Sequence, residues 1–137
     1  MATIRKEVQI HASPQRVWNA LRDVGALHTR LAPGFVVDTR LDGNARIVTF
    51  GNGMVVREDI VSVDDDAHWV VWAIVDQQFQ HYNGAAQVVA NSDDSTGFSW
   101  TADLLPDEAA GEVEAMIEAG IAVIKTAMEG NDGSDGD

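Results

Sequence analysis

The chain opens on alternation: Ile4, Lys6, Val8 and Ile10 interleave with Arg5, Glu7 and Gln9, the period-two pattern of a strand with one buried face. Ser13 then supplies an N-cap oxygen, and Pro14 takes the first helical position, where a missing N–H costs nothing. Val17, Trp18 and Leu21 follow at helical spacing, and the pattern weakens at Asp23-Val24-Gly25. A second short helix is predicted over Ala26–Leu31, closed by Pro33-Gly34. From Phe35 the period returns to two. Runs rich in branched residues cover 35–41, 45–50 and 54–63, separated by Asp42-Gly43-Asn44 and Gly51-Asn52-Gly53. Both separators are hairpin signals, because Gly and Asn tolerate positive φ. Asp64-Asp65-Asp66 makes the next turn. Trp69–Val75 is an unbroken apolar run, which predicts a strand covered on both faces or lying at a contact surface. Segments 82–90 and 97–105 complete the strands, around a polar turn at 91–96.

After Pro106 the period becomes helical. Val113, Met116, Ile117, Gly120, Ile121, Ile124 and Met128 form one stripe with glutamates opposite, an amphipathic helix of about six turns. Gly120 in its middle costs about 1 kcal/mol relative to alanine, so something needs the space: close backbone contact with the sheet, or room for a ligand. These elements make an α+β protein, a seven-stranded curved antiparallel sheet wrapped around a long C-terminal helix, with two short helices after the first strand. No repeat or linker divides the chain, so one domain is expected over residues 1–129, followed by a flexible acidic tail at 130–137. Such a sheet can hold a cavity against its helix.

Composition narrows the function. The 22 acidic against 9 basic residues, a formal charge of −13, repel phosphate backbones and anionic lipid heads, so nucleic acid is not an expected partner. The acids cluster in turns and on the closing helix, where they read as a solvated surface. No apolar run reaches the roughly 18 residues of a membrane span, so stable membrane insertion is not expected. The N-terminus has no apolar signal-peptide core, which makes cytoplasmic residence the expectation. With no cysteine there is no thiol nucleophile, and His11, His28, His68 and His81 show no metal-ligand spacing. A nucleophile elbow, a phosphate loop and a dinucleotide fingerprint are all missing. No metal, cofactor or catalytic residue is assigned.

The order of elements resembles the START-like (SRPBCC) helix-grip superfamily. So do Ser13-Pro14-Gln15-Arg16-Val17-Trp18, Arg57-Glu58-Asp59-Ile60, the Asp64-Asp65-Asp66 turn and Trp100-Thr101-Ala102-Asp103. Within it the chain is similar to the bacterial polyketide cyclase/dehydrase and lipid-transport group, and to plant abscisic-acid receptors. The resemblance covers nearly the whole chain and specifies a fold better than an activity. Similarity to the receptors implies that Val56, Glu58 and Ile60 point inward, followed by Trp72 and Ile74, then Tyr82, Gly84, Ala86 and Val88, then Phe98, Trp100 and Ala102. Small residues beside large aromatics would leave a void. The chain departs from the receptors in its short 76–81 connection, in a Gly51-Asn52-Gly53 turn too tight for a gating lid, and in lacking a match to their ligand-anchoring lysine. A hormone-like anionic ligand is therefore not expected.

The expected ligand site comprises Glu58, Trp72, Tyr82, Phe98, Trp100, Met116 and Gly120. A carboxylate at Glu58 would be costly to desolvate unless a cation met it, and Arg46 on the neighbouring strand is the candidate partner. Tyr82 offers a ring with a hydroxyl for a ligand carbonyl or for the core. Trp72 and Trp100 could sandwich a flat or greasy molecule. Two function classes follow: a carrier or sensor of a small hydrophobic or aromatic, lipid- or polyketide-like molecule, and a polyketide cyclase, aromatase or dehydratase using Glu58, Tyr82 and His81 to move protons. Catalysis needs several convergent polar groups, so binding without turnover is the favoured reading. A co-chaperone-like interaction module is a third. On the same parity Trp69, Val71, Ala73 and Val75 face outward, which suggests a homodimer.

Overall fold

The computed structural model describes residues 1–130. It contains β1 (Ala2–Ile10), α1 (Pro14–Arg22), a π-helical turn (Leu27–Leu31), β2 (Val36–Asp42), β3 (Ala45–Phe50), β4 (Val55–Asp64) and β5 (Trp69–Ile74). β6 (His81–Ala90), β7 (Thr96–Leu105), a 3-10 turn (Asp107–Ala109) and α2 (Ala110–Gly130) follow. The sheet runs β1-β7-β6-β5-β4-β3-β2, with every neighbouring pair antiparallel. The predicted α+β helix grip is therefore the observed fold.

Local chemistry accounts for the element ends. Ser13 Oγ accepts from the Arg16 N–H at 3.1 Å, which caps α1. Gly43 and Gly53 take φ of +60° and +92°, as their hairpins demand. The second predicted helix is shorter than its pattern: Ala26 stays outside it, and one wide turn suffices to bury both Leu27 and Leu31. Gly130, expected to open the tail, is the last residue of α2; the rest of that predicted tail lies outside the described residues.

Two sets of polar contacts fix the helices on the sheet. Trp18 Nε1 and Arg22 Nε donate to Asp65 Oδ1 at 3.1 and 2.8 Å, and His68 stacks on Trp18 with ring centroids 5.0 Å apart. The acidic turn, read from sequence as solvated surface, thus fastens α1. Along β1, Lys6 Nζ lies 2.9 and 3.0 Å from Glu114 and Glu118 of α2. Nearer the end of α2, Lys125 Nζ donates to the Gln9 carbonyl at 2.6 Å, and Glu129 accepts from the His11 N–H at 2.8 Å.

The core splits into two clusters. One packs Ile10, Val17, Trp18, Val70, Val88 and Phe98 beneath α1; the other gathers Ile4, Tyr82, Leu104, Val113 and Ile117 under the first half of α2. On the opposite face of the sheet, Trp69 and Val75 are exposed, as the parity requires. Polar residues flank part of that strip: Asp59 and Asn83 stand across from Ala73, and Asp64 and Gln87 across from Trp69.

Candidate functional site

The concave face of the sheet and the first half of α2 enclose a cavity of about 340 Å³. Strand alternation builds its floor, since residues two apart share a face. Val56 and Glu58 come from β4, Trp72 and Ile74 from β5, Tyr82 from β6 and Trp100 from β7. Helical spacing builds its roof, because Val113, Met116 and Ile117 lie three or four residues apart on one side of α2. Asn52, Gln78, Phe79 and Glu112 add to the lining from the β3–β4 hairpin, the β5–β6 loop and the start of α2. A second void, of about 50 Å³, lies deeper beside Arg46 and Phe98. It is too small for an organic ligand, whereas the larger cavity falls at the lower end of the about 300–1,000 Å³ range of small-molecule pockets.

Glu58 borders both spaces and stands opposite Arg46 in the β3–β4 register. Arg46 Nε donates to Glu58 Oε1 at 2.7 Å, and the two side chains are 3% and 9% exposed. The guanidinium carbon also sits 5.2 Å from the centre of the Trp72 ring, a cation–π contact in a desolvated place. The cation that Glu58 required is thus the cross-strand partner identified from sequence. Removing one member of such a pair leaves an uncompensated buried charge, which makes Arg46 and Glu58 structurally interdependent.

Tyr82 is 8% exposed, and its hydroxyl has no hydrogen-bond partner among the described residues. Burial pushes its pKa well above the usual 10.0, and the nearby Glu58 charge adds to the rise. The phenol therefore stays protonated across the physiological range, a donor rather than a base. Trp100 Nε1 is likewise buried without an acceptor. A fully buried donor left unpaired is unusual, because buried polar groups are nearly always paired.

Several expectations change here. Trp72 and Trp100 meet edge to face at 6.2 Å and 69°, so they do not form a sandwich. The glycine between their strands permits this: a Cβ on Gly84 would lie 2.5 Å from the Trp72 ring, so the predicted void at Gly84 is filled by an indole. Gly120 lines neither cavity. A Cβ there would come within 2.7 Å of Trp100 and 2.9 Å of Phe35, so neither the sheet backbone nor a ligand takes its space; two rings do. Phe98 is a core residue that borders the smaller void and not the larger cavity. His81 is exposed and outside the lining, which removes it from any proton relay in the cavity. The Gly51-Asn52-Gly53 turn, too tight for a lid, nevertheless sets Asn52 on the cavity wall. Glu58, Trp72, Tyr82, Trp100 and Met116 do converge. Phe79 was missed because it stands in a loop where no periodicity assigns a direction; its only sequence signal is being the one apolar residue in Asp76-Gln77-Gln78-Phe79-Gln80.

Residues 1–129 match the model of the family described as polyketide cyclase / dehydrase and lipid transport. The chain belongs to that family. Its seven-stranded sheet and long helix place this member in the START-like helix-grip superfamily. Solved structures agree on the fold. A protein from Thermobifida fusca is 27% identical, with a TM-score of 0.78 and coverage of 97% of this chain and 94% of that one. A START superfamily protein from Mycobacterium smegmatis is 15% identical, with a TM-score of 0.71 over 94% and 95% of the two chains. Norcoclaurine synthase from Thalictrum flavum is 20% identical, with a TM-score of 0.71 over 94% and 84%. No curated protein matches. Among the described residues, this family member has no group of three or more acidic or histidine side chains placed to hold a metal, and no helix long and apolar enough to cross a membrane.

Proposed function

We propose that residues 1–129 act as one unit that binds a small, largely apolar molecule in the 340 Å³ cavity and holds it without chemical change. The observation that carries this reading is the hollow itself: a space walled by Trp72, Ile74, Phe79, Val113, Met116 and Ile117 and bordered by a Tyr82 hydroxyl that has no partner among the described residues. Filling it with a ligand would remove apolar wall area from water, which stabilises by about 25 cal/mol per Å². The acid–base alternative has little to work with. Glu58 is engaged by Arg46, Tyr82 is a poor acid and a poorer base, and His81 stands outside. Native mass spectrometry of protein purified without denaturation, followed by extraction, is the direct test. An adduct recovered unchanged, and lost in a Met116→Trp variant that fills the cavity, is the expected result. Turnover of a poly-β-keto thioester by the wild-type chain would overturn it.

A further inference from the structure

The cavity wall carries an asymmetry of charge and of hydrogen-bonding sense. Its ionisable side chains are Glu58, Glu112 and the phenol of Tyr82; no Lys, Arg or His belongs to the lining. The nearest buried cation, Arg46, borders only the small void, and its Nε is bonded to Glu58 Oε1. A ligand carboxylate entering the large cavity would lose its hydration and meet two acids with no free cation. Desolvation without a cationic partner penalises it, and Glu112, at an exposed position, adds a like charge, Glu58 being already compensated by Arg46. The hydroxyl of Tyr82, a largely buried wall residue, is in contrast a donor with no acceptor among the described residues. An uncharged molecule with a carbonyl oxygen answers the donor and leaves the acids undisturbed. Its remaining surface would lie against Trp72, Phe79 and Trp100, whose rings favour an aromatic frame.

We propose, on the basis of the binding function above, that this cavity selects uncharged aromatic ketones through the Tyr82 hydroxyl and rejects carboxylates such as fatty acids. Tyr82 is then the residue that sets specificity, and Glu112 at the start of α2 reinforces the rejection of anions. The selection is for hydrogen-bond acceptance as well as greasiness, since an apolar molecule without an acceptor leaves the phenol unsatisfied.

Isothermal titration calorimetry with flavone, flavan (which lacks the carbonyl and the adjacent ring double bond), decanoate and 2-(1-naphthyl)ethylamine tests this. Flavone is expected to bind about tenfold more tightly than flavan, the equivalent of one hydrogen bond to a buried donor. That ratio should fall to near one in Tyr82→Phe, which keeps the ring and removes only the hydroxyl. Decanoate should bind more weakly than flavan, and should gain affinity in Glu112→Lys, a change at an exposed position that leaves the core intact. Tighter binding of decanoate or of the amine than of flavone would overturn the proposal. Equal binding of flavone and flavan, or a ratio that survives Tyr82→Phe, would overturn it while leaving the binding function standing. If none of the four probes binds, the binding function fails and the selectivity fails with it.

Discussion

The space between the sheet and α2 has two ends. Beneath α1, Ile10, Trp18, Val88 and Phe98 close on one another and on Ile124 and Met128, leaving little room. Beneath the first half of α2, Tyr82 and Val113 face a hollow of about 340 Å³. Both ends draw on the same strands and the same helix, and both are apolar. They differ in what plugs them: α1 and the Leu27–Leu31 turn push Leu21, Leu27 and Leu31 into one end, while the other is bordered only by the β3–β4 hairpin, the β5–β6 loop and the opening turn of α2. Arg46 and Glu58 stand at the divide. A helix-grip fold thus packs one end solid and leaves the other hollow.

Truncation should expose that division most strongly. Phe98→Ala is expected to cost about 3–5 kcal/mol, as for other buried aromatics, whereas Met116→Ala, beside space that already exists, should cost about 1 kcal/mol or less. Urea denaturation measures both, and equal losses would mean that the two ends are not different. Arg46→Met should cost about 3 kcal/mol by stranding Glu58, and most of that loss should return in the double variant Arg46→Met/Glu58→Leu. If the double variant is no better than the single, the divide is held by shape and not by charge.

Gly84→Ala sharpens the comparison at the boundary. The added methyl would lie 2.5 Å from Trp72, so about 1–3 kcal/mol of overpacking is expected, with a changed near-ultraviolet circular dichroism spectrum as the indole moves. Gly111→Ala, where a Cβ meets nothing, should instead stabilise α2 by about 1 kcal/mol or less. The smallest effect concerns the fastening of α1. Arg22, with help from the Trp18 N–H, holds the Asp65 carboxyl below its usual 3.8. Its stabilising contribution is therefore present above about pH 4 and lost as pH falls through the depressed folded value. In Asp65→Asn that part of the acid arm should disappear from a plot of melting temperature against pH between about 2 and 6; unchanged acid sensitivity would show that the contact contributes nothing in solution.

Most elements were legible because their signals are local. Ser13 and Pro14 start α1, glycines turn the hairpins, alternation gives each strand two faces, and the resemblance to the receptors supplied the parity on which Val56, Glu58, Trp72, Tyr82 and Trp100 share the inner one. The site was legible to the extent that parity decides it. What failed were statements about distance between side chains. Trp72 and Trp100 were placed on the right face, yet whether they part around a ligand or touch depends on Gly84 letting one indole lie across a neighbouring strand. Gly120 announced that something needed room, and could not say that Trp100 and Phe35 would take it.

The sequence by itself determined the order of elements, the two alternating faces of each strand and the acidic, cysteine-free chemistry, because periods of 2 and 3.6 and turn propensities act over a few neighbours. Only the tertiary structure decided where the interior is solid and where it is hollow. That outcome turns on volumes summed over residues far apart in the chain, such as Arg46 with Glu58 and Gly120 with Trp100 and Phe35, and close packing leaves a cavity only where those sums fall short.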